Sequence, residues 1–142
     1  MMNRRGFLVT GAALATLAPH LAIAGNTSEI ATGTFRDDDA RHRASGALSV
    51  LRAANGEMTV RMIDMQVADG PDLFVYLVKE TDPLFPEDVS AEFTSLGKLQ
   101  SLTGTQDYGI PAGVDIDDWG SVVVWCASFT TTFAVATIKP TN

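Results

Sequence analysis

The chain has 142 residues, 46% of them hydrophobic and 19% charged, which is the balance of a globular protein and not of a disordered one. Acidic residues outnumber basic ones by 17 to 10, for a net charge of −7. That balance argues against nucleic acid or an anionic membrane as partner, since both are bound through clustered Lys and Arg, and leaves cationic partners and hard metal ions open.

Residues 1–24 read as an address. Arg4 and Arg5 precede Phe7 and Leu8, an apolar stretch runs to about Ala18, and Ala22-Ile23-Ala24 offers a small-x-small cleavage site. The arginine pair with Phe7 and Leu8 behind it looks like a twin-arginine signal, a type used by proteins exported already folded. A general-route signal that happens to carry two arginines is the plainer alternative. Cleavage after Ala24 predicts one domain over residues 25–142, with His20 lost and His42 the remaining histidine. Loss of Arg4 and Arg5 leaves eight basic residues against 17 acidic ones, a net charge of −9. No second long apolar run follows, so the expectation is a periplasmic or secreted protein with no stable membrane anchor after cleavage.

From residue 25 the chain reads as short strands. Ile30 to Phe35 suits a first strand, with Gly33 as a bend. Arg36 to Arg43 is a charged connector whose triplet Asp37-Asp38-Asp39 lacks the alternating layout of a calcium loop. Three adjacent carboxylates cannot all point inward, so it is read as a solvated loop and no metal site is assigned.

Gly46 to Ala53 and Glu57 to Asp64 flank Asn55-Gly56, a pair suited to a two-residue turn. That turn predicts Leu51 opposite Val60, Ala53 opposite Met58, and Arg52 opposite Thr59. Met58, Val60 and Met62 alternate with polar residues and are read as core fillers, although strand methionines also suit copper or haem. Leu73 to Lys79 is apolar on both faces, a central strand. Thr81 to Asp88 is a surface loop, and Phe93 to Leu102 one or two strands. Gly104 to Pro111 reads as a turn-rich connector and Val114 to Gly120 as an acidic patch with a short helical turn. Val122 to Phe129 is the most apolar run outside the N-terminus, and Thr132 to Ile138 is the last strand. Seven or more short strands without a long amphipathic helix predict an all-β domain, a small antiparallel sandwich or barrel. The strands at 73–79, 121–129 and 132–138 belong in its core.

Several chemistries are excluded by counting. Without C-x-x-C-H or C-x-x-C there is no covalent haem attachment and no thioredoxin-type dithiol. One histidine after cleavage is too few for a blue-copper centre or a Cys/His zinc cage. No G-x-S-x-G occurs, and a hydrolase is a distant third reading.

Cys126 is the lone cysteine, so it cannot form an internal disulfide. It is buried and inert, or guarded and reactive, or paired with another chain. On a strand it shares a face with Val122 and Val124, which favours burial.

Read together, several pieces resemble the DM13 domain, a small extracytoplasmic domain of animals, plants and bacteria. They are Gly33-Thr34-Phe35, His42-Arg43-Ala44-Ser45-Gly46, Gly70-Pro71-Asp72-Leu73-Phe74-Val75-Tyr76-Leu77 and Leu96-Gly97-Lys98-Leu99. Gly104-Thr105-Gln106-Asp107-Tyr108 with Ile110-Pro111, and Val122-Val123-Val124-Trp125-Cys126 with Phe129, continue the match to about Ile138. The resemblance implies an electron-transfer domain with a characteristic cysteine at Cys126, often found beside cytochrome-like domains. This chain has Met65 where the family often has an aromatic, a small-residue ending at Phe133-Ala134-Val135-Ala136, and no cytochrome partner.

Two functions follow. The first is a redox or electron-transfer accessory of the bacterial envelope, working with an envelope redox protein, with Cys126 as the redox group and His42 as second participant. A His42–Cys126 pair would suit haem iron or copper(I), although the sequence requires neither cofactor. The plainer reading of His42 is a loop residue bonded to a neighbouring Asp. The second function is a non-catalytic binding module in which Cys126 is structural. Trp119, Tyr108 and the acidic 115–118 patch would then form a recognition surface or a calcium site. Both describe a transfer or binding domain rather than a turnover enzyme.

Overall fold

The computed structural model describes residues 27–141. The expected signal, with Arg4, Arg5, Phe7, Leu8, His20, Ala22 and Ala24, lies outside the described residues.

Runs of β-branched and aromatic residues, punctuated by Gly, Pro, Asn and Asp, form strands. In chain order they are β1 (Thr27–Thr34), β2 (Arg36–Asp37), β3 (Ala44–Ala53), β4 (Met58–Val67) and β5 (Leu73–Val78). After a one-turn helix α1 (Pro86–Ser90) come β6 (Phe93–Lys98) and β7 (Thr103–Ile110). A 3-10 turn (Ile116–Asp118) then leads to β8 (Ser121–Cys126), β9 (Thr131–Thr137) and β10 (Lys139–Pro140).

Two five-stranded antiparallel sheets result, ordered β10-β1-β3-β4-β7 and β2-β9-β8-β5-β6. The expected all-β sandwich is thus what forms, and β5, β8 and β9 are the middle strands of the second sheet. Leu48, Val50, Val60 and Met62 of one sheet share a buried cluster with Val75, Leu77, Val122, Val124 and Ala134 of the other. Met62 and Met65 are buried there, as core residues.

The sheets meet at a corner. The chain passes from the first to the second at buried Phe35 and returns at Ile138. Gly33 is not a bend. It stays paired with Leu48 and lies so close to β9 that a Cβ would sit 2.4 Å from the Thr137 carbonyl oxygen. A glycine there lets two backbones touch.

Three other expectations are corrected. The β3–β4 hairpin has a three-residue loop: Ala53 N–H donates to Glu57 O at 2.8 Å, and Gly56 takes φ +92°. The register therefore sets Val50 against Val60, Leu51 against Thr59 and Arg52 against Met58, one residue from the expected pairing. Gly104 to Ile110 is strand, not connector. Gln106, Tyr108 and Ile110 point inward, a pattern masked because one inward residue is polar and Gly104 and Gly109 suggest turns. The Cys126 strand ends at that residue, and Phe129 lies exposed in the turn that follows.

Candidate functional site

β8 is buried along its whole length because it is the central strand of its sheet and is covered on both faces. Period-two alternation sends Val122, Val124 and Cys126 into the main core. Val123 and Trp125 face the other way, into a second cluster with Tyr76, Val78, Val89 and Val135. Cys126 is the last residue of β8, opposite Leu73 on β5 and Thr131 on β9, and has no exposed surface. It is a free thiol.

The neighbouring ladder is broken at this end. Val124 pairs with Ala134 and Trp125 with Thr132, so Phe133 is skipped as a bulge in β9. A bulge rotates the chain locally, and consecutive Phe133 and Ala134 both reach the main core. The ring of His42 lies on Phe133, with centroids 4.2 Å apart and planes 35° from parallel. His42 is in the loop between β2 and β3, so the first-sheet end of that loop is brought over the bulge.

The same loop is tied down by its acids. Thr132 Oγ1 donates a short hydrogen bond to Asp38 Oδ1. Asp39 Oδ1 accepts from the backbone N–H groups of Arg41 and His42, each at 2.8 Å. The His42 N–H is the main cause holding the Asp39 carboxyl below its ordinary range. Asp37 turns away, accepting from the Ala44 N–H and pairing with Arg43 at 3.2 Å. The three carboxylates do not all converge, as expected: Asp37 turns away, while Asp38 and Asp39 gather at His42. One ligand atom from each of these three lies within 4.8 Å of the others. Among the described residues Cys126 belongs to no such group.

His42 thus rests on Phe133, which belongs to the same buried cluster as Cys126. A haem does not fit this arrangement. Its iron would need the Cys126 sulfur at the wall of a cavity, and the residue is fully enclosed by packed apolar side chains. His42 does neighbour an Asp, as the plainer reading had it, with Nδ1 3.1 Å from Asp39 Oδ1.

Tyr108 takes no part in the recognition surface expected of it with Trp119 and the acidic 115–118 patch. Tyr108 is buried, and its hydroxyl donates to Gln106 while accepting the Gln100 N–H at 2.8 Å. Burial raises its pKa. Trp119 packs against the core with Lys79 Nζ 5.8 Å from its ring. Asp115 caps the 3-10 turn by accepting the Asp117 N–H. Phe133 and Thr132 are the contributors that sequence reasoning missed. Nothing in a run of threonines and small apolar residues announces a bulge.

The outer face of the second sheet carries aromatics. Tyr76 stacks on Phe93 at 4.3 Å and lies 6.2 Å from both Trp125 and Phe74. Leu84, Phe85 and Phe93 remain exposed near α1 and the edge strand β6.

No curated protein and no solved structure matches the chain. One family does match, described as Electron transfer DM13, over residues 34–138, nearly all of the folded sandwich and both Cys126 and His42. By that match the chain belongs to the DM13 electron-transfer family.

Proposed function

We propose that this is an exported envelope domain, residues 25–142 after a cleaved twin-arginine-type signal, whose electron-transfer accessory role centres on the Cys126 thiol. The family match carries the redox class, and the choice of Cys126 rests on its being the sole cysteine. No cofactor is needed for this reading. With one cysteine the oxidised state is intermolecular: the Cys126 thiolate attacks a partner's disulfide, a mixed disulfide forms, and the partner's second sulfur leaves as a thiolate. Reaching a fully buried sulfur requires the turn at 127–130 to lift from the end of the sandwich. Thr130 in that turn is held at φ +54°, a strained value for a β-branched residue.

The test is the native-state reaction of Cys126 with a small disulfide, measured against denaturant. Local opening predicts a rate nearly independent of low denaturant, and electron exchange with envelope thiol–disulfide proteins that Cys126→Ser abolishes. A thiol that reacts only in step with global unfolding, with exchange surviving in Cys126→Ser, overturns the proposal. The complete burial of Cys126 favours a second reading in that case: a binding module in which the thiol is a core residue.

A further inference from the structure

The loop over the Phe133 bulge holds a histidine nitrogen with no hydrogen-bond partner. His42 Nδ1 is a completely buried atom, although the side chain as a whole is 22% exposed. It lies 3.1 Å from Asp39 Oδ1, near enough to bond, yet the alignment of a hydrogen bond is missing. The N–H and the lone pair of an imidazole nitrogen lie along the same in-plane direction. The nitrogen therefore meets Asp39 as a charge neighbour, without an aligned hydrogen bond of its own. Buried polar atoms are almost always satisfied, so a nitrogen without a hydrogen bond beside two carboxylates asks for an explanation.

A shared cation supplies one. Two ligand atoms each about 2.1 Å from an ion, at tetrahedral or octahedral angles, are roughly 3.0–3.4 Å apart. The His42–Asp39 separation of 3.1 Å falls in that range. Asp38 completes a group whose ligand atoms all lie within 4.8 Å of one another. Its carboxylate is oriented by the Thr132 hydroxyl, and the His42 ring is braced by Phe133. Such outer partners fix ligand direction in metal sites. Arg43, which follows His42, is occupied by Asp37.

We propose that Asp38, Asp39 and His42 form a divalent transition-metal site, with His42 Nδ1 and one oxygen from each carboxylate as ligands and water completing the shell. One imidazole with two carboxylates suits zinc and its neighbours, whereas calcium takes oxygen ligands throughout. The site does not use Cys126 and stands apart from the redox proposal.

Zinc alone, titrated calorimetrically into the chelator-stripped protein in a non-coordinating buffer, tests it. One zinc per chain is expected, with affinity falling by at least about tenfold in His42→Ala and Asp38→Asn, the lower end of what even outer-shell changes cost a metal site. Asp117→Asn, in the other acidic patch, and Cys126→Ser should leave it unchanged. Should His42→Ala unfold, the wild-type protein still decides: zinc must shift the Nδ1 resonance of His42 in ¹⁵N spectra. Absence of binding, binding indifferent to His42, or binding lost only with Cys126 overturns the site. Because Cys126→Ser is read separately by thiol exchange and by zinc, failure of one proposal leaves the other standing.

Discussion

His42 rests on Phe133, the one residue within the β8–β9 ladder that has no partner on β8. An irregularity in a central sheet is thereby filled from both sides, by the core below and by a loop imidazole above. Phe133 is 1% exposed, so Phe133→Ala should leave a cavity and destabilise by about 3–5 kcal/mol, whereas Phe133→Leu should cost clearly less. Urea unfolding measures both. Loss of ordered His42 signals in the leucine variant, with most stability retained, would show that the ring and not the volume holds the loop.

Cys126 offers a sharper comparison. Ser is nearly isosteric but would bury a hydroxyl in an apolar cluster, at about 1–3 kcal/mol. Ala removes only the sulfur and should cost about 1 kcal/mol. The expected stability order is therefore wild type, then Cys126→Ala, then Cys126→Ser. Serine matching wild type would mean that polar groups or water reach the position.

Two glycines should respond differently to alanine. At Gly33 a Cβ would meet backbone, which cannot swing aside, so Gly33→Ala should cost about 3 kcal/mol or more. Gly56 has open space around it and only its positive φ to lose, so Gly56→Ala should cost about 1–2 kcal/mol. Thermal melts of the pair test the corner where the sheets meet. Equal costs would mean that the β1–β9 approach is looser than described.

Arg61 on β4 faces Asp107 on β7 and grips both carboxylate oxygens, through Nε at 2.8 Å and Nη2 at 2.9 Å. That hydrogen bonding holds the Asp107 carboxyl below its ordinary range and raises the Arg61 pKa. A lowered carboxylate pKa stabilises the fold above the unfolded value of about 3.9, and this contribution is lost as pH falls through the lower folded value. Both side chains are over 40% exposed, so solvent screening limits the pair to about 1 kcal/mol at most. Asp107→Asn should flatten the acid limb of a stability–pH curve by that amount and reduce its salt dependence.

Much of the sandwich was legible because alternation and β-branching survive wherever one strand face is apolar. β5, β8 and β9, and the inward face of Cys126, follow from that rule. β7 was hidden because its inward Gln106 is satisfied by Ser101 and Tyr108, contacts that hydropathy does not register. The hairpin was found but slipped by one residue, since Asn55-Gly56 serves two-residue and three-residue loops alike and only backbone hydrogen bonds separate them. His42 and Cys126 were both picked out, either as a ligand pair or, more plainly, as an Asp-bonded loop residue and a core thiol. The seating of His42 on Phe133 depends on a bulge, and its meeting with Asp38 and Asp39 depends on how one short loop folds back. Such arrangements are set by tertiary packing, beyond the reach of residue spacing.

The first and last strands are neighbours: β10 lies on β1, and Thr141 N–H donates to Ile30 O at 3.0 Å. The seam that finishes the sandwich thus joins the segments most distant in sequence among the described residues. Pairings of this kind carry the largest loop-closure entropy and form slowly. While a ribosome still holds residues 138–141, that seam must stay open. Trimming of those residues would unpair β1 at Ala31 and Thr32 and lengthen the edge available to a second chain.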